Sequence, residues 1–319
     1  MNIAVAFNKK YLNFAVVMLT SFLENNKEDN SIFIFNNELD SADFAFLRKS
    51  LVKYEPTFYD IKISLSDNIW KKLPVTNEWS REVYYRLLIP DRINKDLERI
   101  LYLDIDLIVH ASIKEFYYAD FEDSEIISVR DTNGCNSFAV LSEKQRTMLK
   151  NRMKNDNDYF NSGVMIFNLK KIKGKHTFDT YLEIMKKWNF DMSAFDQDVL
   201  NYAHAGYVKY MSWEKYDLFS KFAYLDGWDY EKVKKENSII HYAGDKPWSF
   251  KNFHYELERF WWDYAALTPI YDMLMEKFIE EAMTNDRIEK EIKRITEEKM
   301  LYERAIDDAE RLLERVNKG

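Results

Sequence analysis

The run RILYLDIDLIVH at 99–110 constrains this chain more than any other stretch. Its apolar, partly β-branched composition is that of a strand buried on both faces of a parallel sheet. Asp104 and Asp106 nevertheless sit inside it. Burying an unpaired ionised carboxylate is costly even after relaxation, so two close together need a partner. At i and i+2 on a strand, both side chains leave the same face. Two hard oxygen ligands there suit Mg2+ or Mn2+, ions that commonly bridge to phosphate. A second reading ends the strand at Leu103 and makes both acids solvated loop residues. Asp-x-Asp alone does not decide between them, since the pattern is common by chance.

The surroundings favour a parallel sheet. NIAVAF (2–7), SIFIF (31–35) and FYDIKIS (58–64) read as strands, separated by helical patterns over about 11–24 and over 41–51, where Ser41 suits an N-cap. REVYYRLLIP (81–90) reads as a helical segment stopped by Pro90. SEIISVR (124–130), GVMIFNL (163–169) and SIIHYAG (238–244) read as further strands, and FDTYLEIMKKW and AFDQDVLNYAHA as helices. This alternation indicates βαβ units in an α/β fold. Ligands on such sheets bind outside the carboxyl ends of the strands, the end towards which the two acids lie.

Function classes narrow on charge and cysteine content. A net charge of −8 disfavours a general nucleic-acid binder, which needs a basic face. The single cysteine, Cys135, excludes an intramolecular disulfide and a thiolate zinc cage, and fits a reducing compartment. The N-terminus lacks the basic-then-apolar order of a signal peptide, and FAVVMLTSFL is too short to span a bilayer. The expectation is a soluble cytoplasmic protein, with peripheral contact at the inner face of the membrane left open.

The pattern changes after about Pro269. Apolar residues fall at Ile288, Ile292, Ile295, Tyr302, Ile306, Ala309, Leu313 and Val316, and Lys299 interrupts their alternating spacing. Such a heptad stripe fits either a helix packed back on its own domain or a self-associating coiled coil. The narrow stripe and charged flanks favour the coiled coil, hence a homo-oligomer. The expected division is a catalytic domain over 1–268 and a helical extension over 269–319.

HYAGDKPW (241–248) is a second chemical cluster. Imidazole can complete a metal shell begun by two carboxylates. Gly244 lets backbone approach a phosphate, and Lys246 offers a point charge to a diphosphate. A lone histidine is more often structural, but one joined to Gly-x-Lys-Pro-Trp is less easily set aside.

YLDIDLIV, YFNSGVMIFNL (159–169), FDQDVLN (195–201) and HYAGDKPW, in this order, resemble glycosyltransferase family 8. NIAVAFNKKY and YYRL (84–87) add to the resemblance, which covers roughly residues 1–265. It implies a GT-A type Rossmann-like fold with a mixed, mainly parallel sheet. It also implies a UDP-hexose donor, galactose or glucose, Mn2+ or Mg2+, and transfer with retention to a sugar on a glycan, glycolipid or glycoprotein. On that basis Asp104, Asp106 and His241 hold the ion. Ala6, Asn8, Tyr11 and Ile105 join Gly244 and Lys246 in donor binding, and Arg86 lies against phosphate and donor sugar. Asn161 and Asp196 bond sugar hydroxyls, and Gln197 lies under the anomeric carbon. An amide is a poor nucleophile, so a front-face mechanism is favoured over a covalent one. Outside the resemblance, Arg86 reads as a helix-surface ion-pair partner, and FDQD as a helix N-terminus whose acids complement the dipole.

Departures from the family are specific. Asn8 stands where an aspartate usually reads the uracil; its amide can pair with both a donor and an acceptor on that base. Lys10 stands at the position of a ribose-contacting residue, and Asp131 corresponds loosely to an acceptor-side aspartate. Two other function classes remain for comparison. An aspartyl phosphohydrolase wants a small hydroxyl residue where Ile108 stands. An assembly subunit would use the tail and keep only a vestigial sugar site.

Overall fold

Short apolar runs alternating with amphipathic helices build the N-terminal part of the computed structural model. It describes residues 1–66, 68–76, 80–94, 96–131, 143–153, 155, 158–284, 293, 295, 296 and 298–300. Its strands are β1 (Asn2–Ala6), β2 (Ser31–Asn36), β3 (Thr57–Lys62), β4 (Arg99–Leu103), β5 (Leu107–Val109), β6 (Ile126–Arg130), β7 (Phe160–Asn168), β8 (Val208–Met211), β9 (Leu218–Phe219) and β10 (Ile239–His241). A large sheet runs in the order β3-β2-β1-β4-β7-β6-β8, and a small one in the order β5-β10-β9. In the large sheet β7 lies antiparallel to both β4 and β6, and every other pairing is parallel. The sheet is mixed and mainly parallel, as expected.

The expected strand through 99–110 is two strands in two sheets. β4 ends at Leu103, and β5 resumes at Leu107 against β10. The two acids flank the corner between. Asp104 N–H donates to Gly163 O at 2.9 Å, carrying the β4–β7 ladder one residue further. Tyr242 N–H donates to Asp106 O at 2.8 Å, beginning the β5–β10 ladder. The corner is therefore stitched to both sheets by its backbone, while its side chains are released from either ladder.

Three further expectations are corrected. Arg81–Leu88 winds as a 3-10 helix, and Pro90 opens a short α-helix, Ile89–Arg92, instead of ending one. In a first turn the missing proline N–H would have had no helical partner anyway. The cap of helix Ser41–Ser50 is Asp40, not Ser41: its carboxylate accepts from Ala42 N and Asp43 N, and Asp43 returns the bond to Asp40 N. β7 begins three residues before the expected Gly163, taking in Asn161 and Ser162, both buried and hydrogen-bonded.

The core lies on both faces of the large sheet. Helix Leu12–Asn25, with Val16 and Phe22 fully buried, packs on β5, and helix Phe195–Ala203 packs on β7 and on Arg81–Leu88. No helix among the described residues is long and apolar enough to cross a membrane.

The chain divides into two compact units, Met1–Pro247 with His254–Tyr271, and Trp248–Phe253 with the chain from Asp272 onward. Within the second, Phe250 N–H donates to Glu281 at 2.8 Å and the Phe250 and Phe278 rings meet edge to face at 5.5 Å. Of the heptad positions, Ile295 and Lys299 are helical and exposed; Ile288, Ile292, Tyr302, Ile306, Ala309, Leu313 and Val316 lie outside the described residues.

Candidate active site

The carboxyl ends of β1, β4 and β10 and the amino end of antiparallel β7 all open on one edge of the fold. The candidate site residues collect there. Asp104 Oδ1 accepts from Arg86 Nη2 at 2.8 Å and from Tyr102 OH at 2.9 Å. Asp106 Oδ1 lies 3.3 Å from His241 Nε2, and its other oxygen accepts from Lys246 Nζ. One ligand atom from each of Asp104, Asp106 and His241 falls within 4.8 Å of the others. As the second reading has it, the strand ends at Leu103 and both acids lie in the turn beyond it; they are partly buried beside the buried His241, so they are not solvated residues.

The donor set and the space between its members fit a hard divalent ion. Two carboxylates and an imidazole suit Mn2+ or Mg2+. The cradle is kept open by the absence of a side chain at Gly163. A Cβ there would stand 2.6 Å from His241 Cε1 and 2.9 Å from Asp104 Oδ2. Burial pulls the His241 imidazole pKa down, but Asp217 and Asp106 outweigh it and hold it at about 10. Burial would raise the Asp106 carboxyl, yet Lys246 and His241 hold it far below the usual carboxylate range.

Arg86 is no surface residue. It is 4% exposed, and its guanidinium is spread over four acceptors. Nη1 donates to Ser162 O and Oγ, Nη2 to Asp104, and Nε to Val83 O at 3.1 Å while facing Asp196 Oδ2 at 3.1 Å. The plane stacks 4.4 Å from the Tyr102 ring centroid. Arg86 thus ties the acid of the β4 corner to the acid at the start of helix Phe195–Ala203. Burial pushes the Asp196 carboxyl up to about 7 against the pull of Arg86.

Gln197 is fixed at both ends of its amide. Oε1 accepts from Ser162 N at 2.9 Å and from Asn161 Nδ2 at 3.4 Å, and Nε2 donates to Asp131 Oδ2 at 2.9 Å. Asn161 Oδ1 accepts from Gly163 N at 2.7 Å. Phe195, just before this pair, is buried at φ +46°, a left-handed conformation that is costly for a bulky residue and is met at functional sites. FDQD is a helix N-terminus, but Asp196 and Gln197 are both buried in the site. Asp198 is structural: it accepts from Tyr159 OH and from the Ser193 and Ala194 amides.

The remaining positions sit around this centre. Ala6 ends β1, and Asn8 Oδ1 caps the next turn by accepting from Lys10 N at 3.1 Å. Tyr11 is half-buried; burial raises its hydroxyl pKa, with Lys246 and Asp106 both near enough to act on it. Ile105 is buried between the two acids. Gly244 needs to be glycine for its φ of +91°, since a Cβ there would meet open space. Lys246 Nζ also donates to Tyr242 O at 2.7 Å.

Four residues of this centre escape sequence reasoning: Tyr102, Ser162, Gly163 and Asp217. A polar Asn-Ser-Gly step entering an apolar strand was a usable signal for Ser162 and Gly163, because glycine inside a strand marks close approach. Asp217, which accepts from His241 Nδ1 at 2.9 Å, had none.

Residues 2–252 match the sequence profile of glycosyl transferase family 8. The lipopolysaccharide 1,2-glucosyltransferase of Escherichia coli is 31% identical over 260 residues, covering 77% of this chain and 73% of that one. The lipopolysaccharide 1,3-galactosyltransferase of Salmonella typhimurium is 26% identical over 251 residues, covering 77% and 72%. The crystal structure of the galactosyltransferase LgtC, in complex with donor and acceptor sugar analogues, superposes with a TM-score of 0.71 at 22% identity. It covers 87% of this chain and all of that one (100%).

Proposed function

This chain belongs to glycosyl transferase family 8, and from that premise we propose a retaining hexosyltransferase. It moves galactose or glucose from a UDP-sugar to a sugar acceptor on a bacterial glycan, glycolipid or glycoprotein, with Mn2+ at Asp104, Asp106 and His241. The chain is a glycosyltransferase of GT-A fold; donor, acceptor, metal and stereochemistry are the proposal. One observation carries it: three ligand atoms within 4.8 Å of one another, at the strand ends, with Arg86, Lys246 and Gln197 around them. Curated relatives named as glucosyl- and galactosyltransferases support a hexose donor.

A divalent ion bound there would neutralise charge on the departing diphosphate. Lys246 adds a second positive charge to that leaving group from the turn set by Gly244. Arg86 holds Asp104 and Asp196 at fixed separation, so the acid facing the ion and the acid facing the sugar do not drift. Gln197, anchored through Ser162 N and Asp131, presents an amide dipole where positive charge grows on the anomeric carbon. Its orientation costs nothing at the moment of reaction, which is what makes such a dipole effective. Ala6, Asn8, Tyr11 and Ile105 line the donor's nucleoside side, and Asn161 and Asp131 face the sugars.

The test is donor binding and turnover. With Mn2+ and UDP-galactose or UDP-glucose, the melting temperature rises, and UDP is released slowly without acceptor and faster with one; EDTA removes both effects. A hundredfold excess over Kd stabilises by about 2.7 kcal/mol, well within reach of a melting assay. A protein that neither binds nor cleaves any UDP-hexose with Mn2+ sinks the reading.

A further inference from the structure

The geometry points to Asp217 as a positioning residue that aims His241 at the cation, an inference that rests on the metal-binding reading above. His241 has two ring nitrogens, and only the one without a proton can ligate a metal. Its Nδ1 lies 2.9 Å from Asp217 Oδ1, and its Nε2 lies 3.3 Å from Asp106 Oδ1. With the Nδ1 proton donated to Asp217, Nε2 is the nitrogen that would give up its proton to an arriving ion and turn its lone pair towards the acids. Carboxylate–histidine pairs behind a metal fix the tautomer and ring orientation in this way and raise the basicity of the ligating nitrogen.

The packing leaves the ring little freedom to do otherwise. The Phe219 ring stands edge-on to the imidazole at 5.2 Å and 88°, and the Gly163 backbone closes towards Cε1. Asp217 comes from the residue before β9, and β9 runs parallel to β10 with Phe219 opposite His241. Two neighbouring strands of the small sheet therefore deliver the pair, and β10 is joined in turn to the corner that supplies the acids through Tyr242 N–H and Asp106 O.

Asp217 is an expensive residue to keep for packing alone. It is 2% exposed, and its Oδ2 is buried with no hydrogen-bond partner among the described residues. An orphaned carboxylate oxygen in the interior carries an uncompensated desolvation cost. Such a cost is tolerated where the other oxygen has a task that a neutral acceptor does less well.

The experiment is a titration of the full-length chain with Mn2+ alone, read as the EPR signal of free Mn2+, for wild type, Asp217→Ala and Asp217→Asn. Alanine removes the acceptor, and affinity falls 10- to 100-fold. Asparagine keeps an amide oxygen where Nδ1–H can reach it, and restores affinity to within about tenfold of wild type. Should the alanine variant not fold, Asp217→Leu, which has the same branching and no acceptor, takes its place. Wild-type affinity in the acceptor-less variant overturns the positioning role, and so do equal losses in the acceptor-less and asparagine variants. A wild-type chain that binds no Mn2+ overturns the metal-binding reading itself, so the two failures are told apart.

Discussion

A single methyl group tests the cradle at the residue scale. Gly163→Ala places a Cβ 2.6 Å from His241 Cε1 and 2.9 Å from Asp104 Oδ2, closer than real contacts allow. Neither neighbour is free to retreat, because His241 is held by Asp217 and Asp104 by Arg86 and Tyr102. The variant should fold with a loss of about 1–3 kcal/mol, the usual cost of overpacking. Its Mn2+ affinity should fall at least tenfold, read by urea denaturation and metal titration respectively. Gln197→Ala asks a different question. It strips one buried hydrogen bond from the Ser162 amide and one from Asp131, at about 1–3 kcal/mol in all. It should lower kcat while the KM for donor stays within a few-fold, whereas a raised KM with kcat unchanged would make Gln197 a binding residue only. What sequence reasoning could reach at this scale were residues with a chemical signature: two acids, a histidine before a glycine turn, an amide in FDQD. Tyr102 and Asp217 carry none, since their roles arise only when separate strands bring them against Asp104 and His241.

At the scale of elements, β6 joins two polar centres of different kinds. Its carboxyl end leads to Asp131 beside Gln197, and Glu125 precedes its amino end, about 17–20 Å away along five strand residues. Glu125 is fully buried; it accepts from His176 Nε2 at 3.0 Å, His204 Nδ1 at 2.8 Å and Lys175 Nζ, and Tyr181 OH bonds the other nitrogen of His204. Burial would raise the Glu125 carboxyl, but His176, His204 and Lys175 hold it well below its ordinary 4.5. Burial lowers His204 from 6.5 to about 4. A depressed carboxyl stabilises above its unfolded pKa and loses that stability as pH falls. A histidine kept neutral also loses stability as pH falls below 6.5, because the unfolded chain takes up the proton first. Both groups therefore weaken the fold in acid, the histidine by up to roughly 3 kcal/mol between pH 7 and 4. Wild type should lose more stability from pH 7 to 5 than His204→Gln, measured by urea unfolding at each pH; parallel losses would count against this. Elements were legible where periodicity and local chemistry agreed, as for β1, β2 and helix Leu12–Asn25. The break at Asp104–Asp106 was legible only as one of two readings, because the apolar residues on its two sides belong to different sheets, and hydrophobicity alone does not say which partner each will find.

At the scale of the whole chain, every residue assigned to the reaction lies in the unit formed by Met1–Pro247 and His254–Tyr271, and the family match ends at residue 252. We propose that the tail from about 269 onward serves association. The heptad stripe was plain in the sequence, and a narrow stripe between charged flanks favours a second copy over a surface of the same chain without deciding between them. Ile295, the described apolar position of that stripe, is exposed on its helix. Where to cut matters, because Trp248–Phe253 belongs with the later chain: Phe250 N–H uses Glu281, and the Phe250 ring uses Phe278. Cutting at 270 would remove both partners and disturb the segment that follows Lys246. Ending the chain after Thr284 keeps them and removes the heptads. That shortened protein should run as a monomer in light-scattering chromatography while retaining most of the full-length rate of UDP release from UDP-hexose. A folded 1–284 chain without turnover would give the tail a part in catalysis. One of unchanged oligomeric size would move the association surface onto the remaining residues.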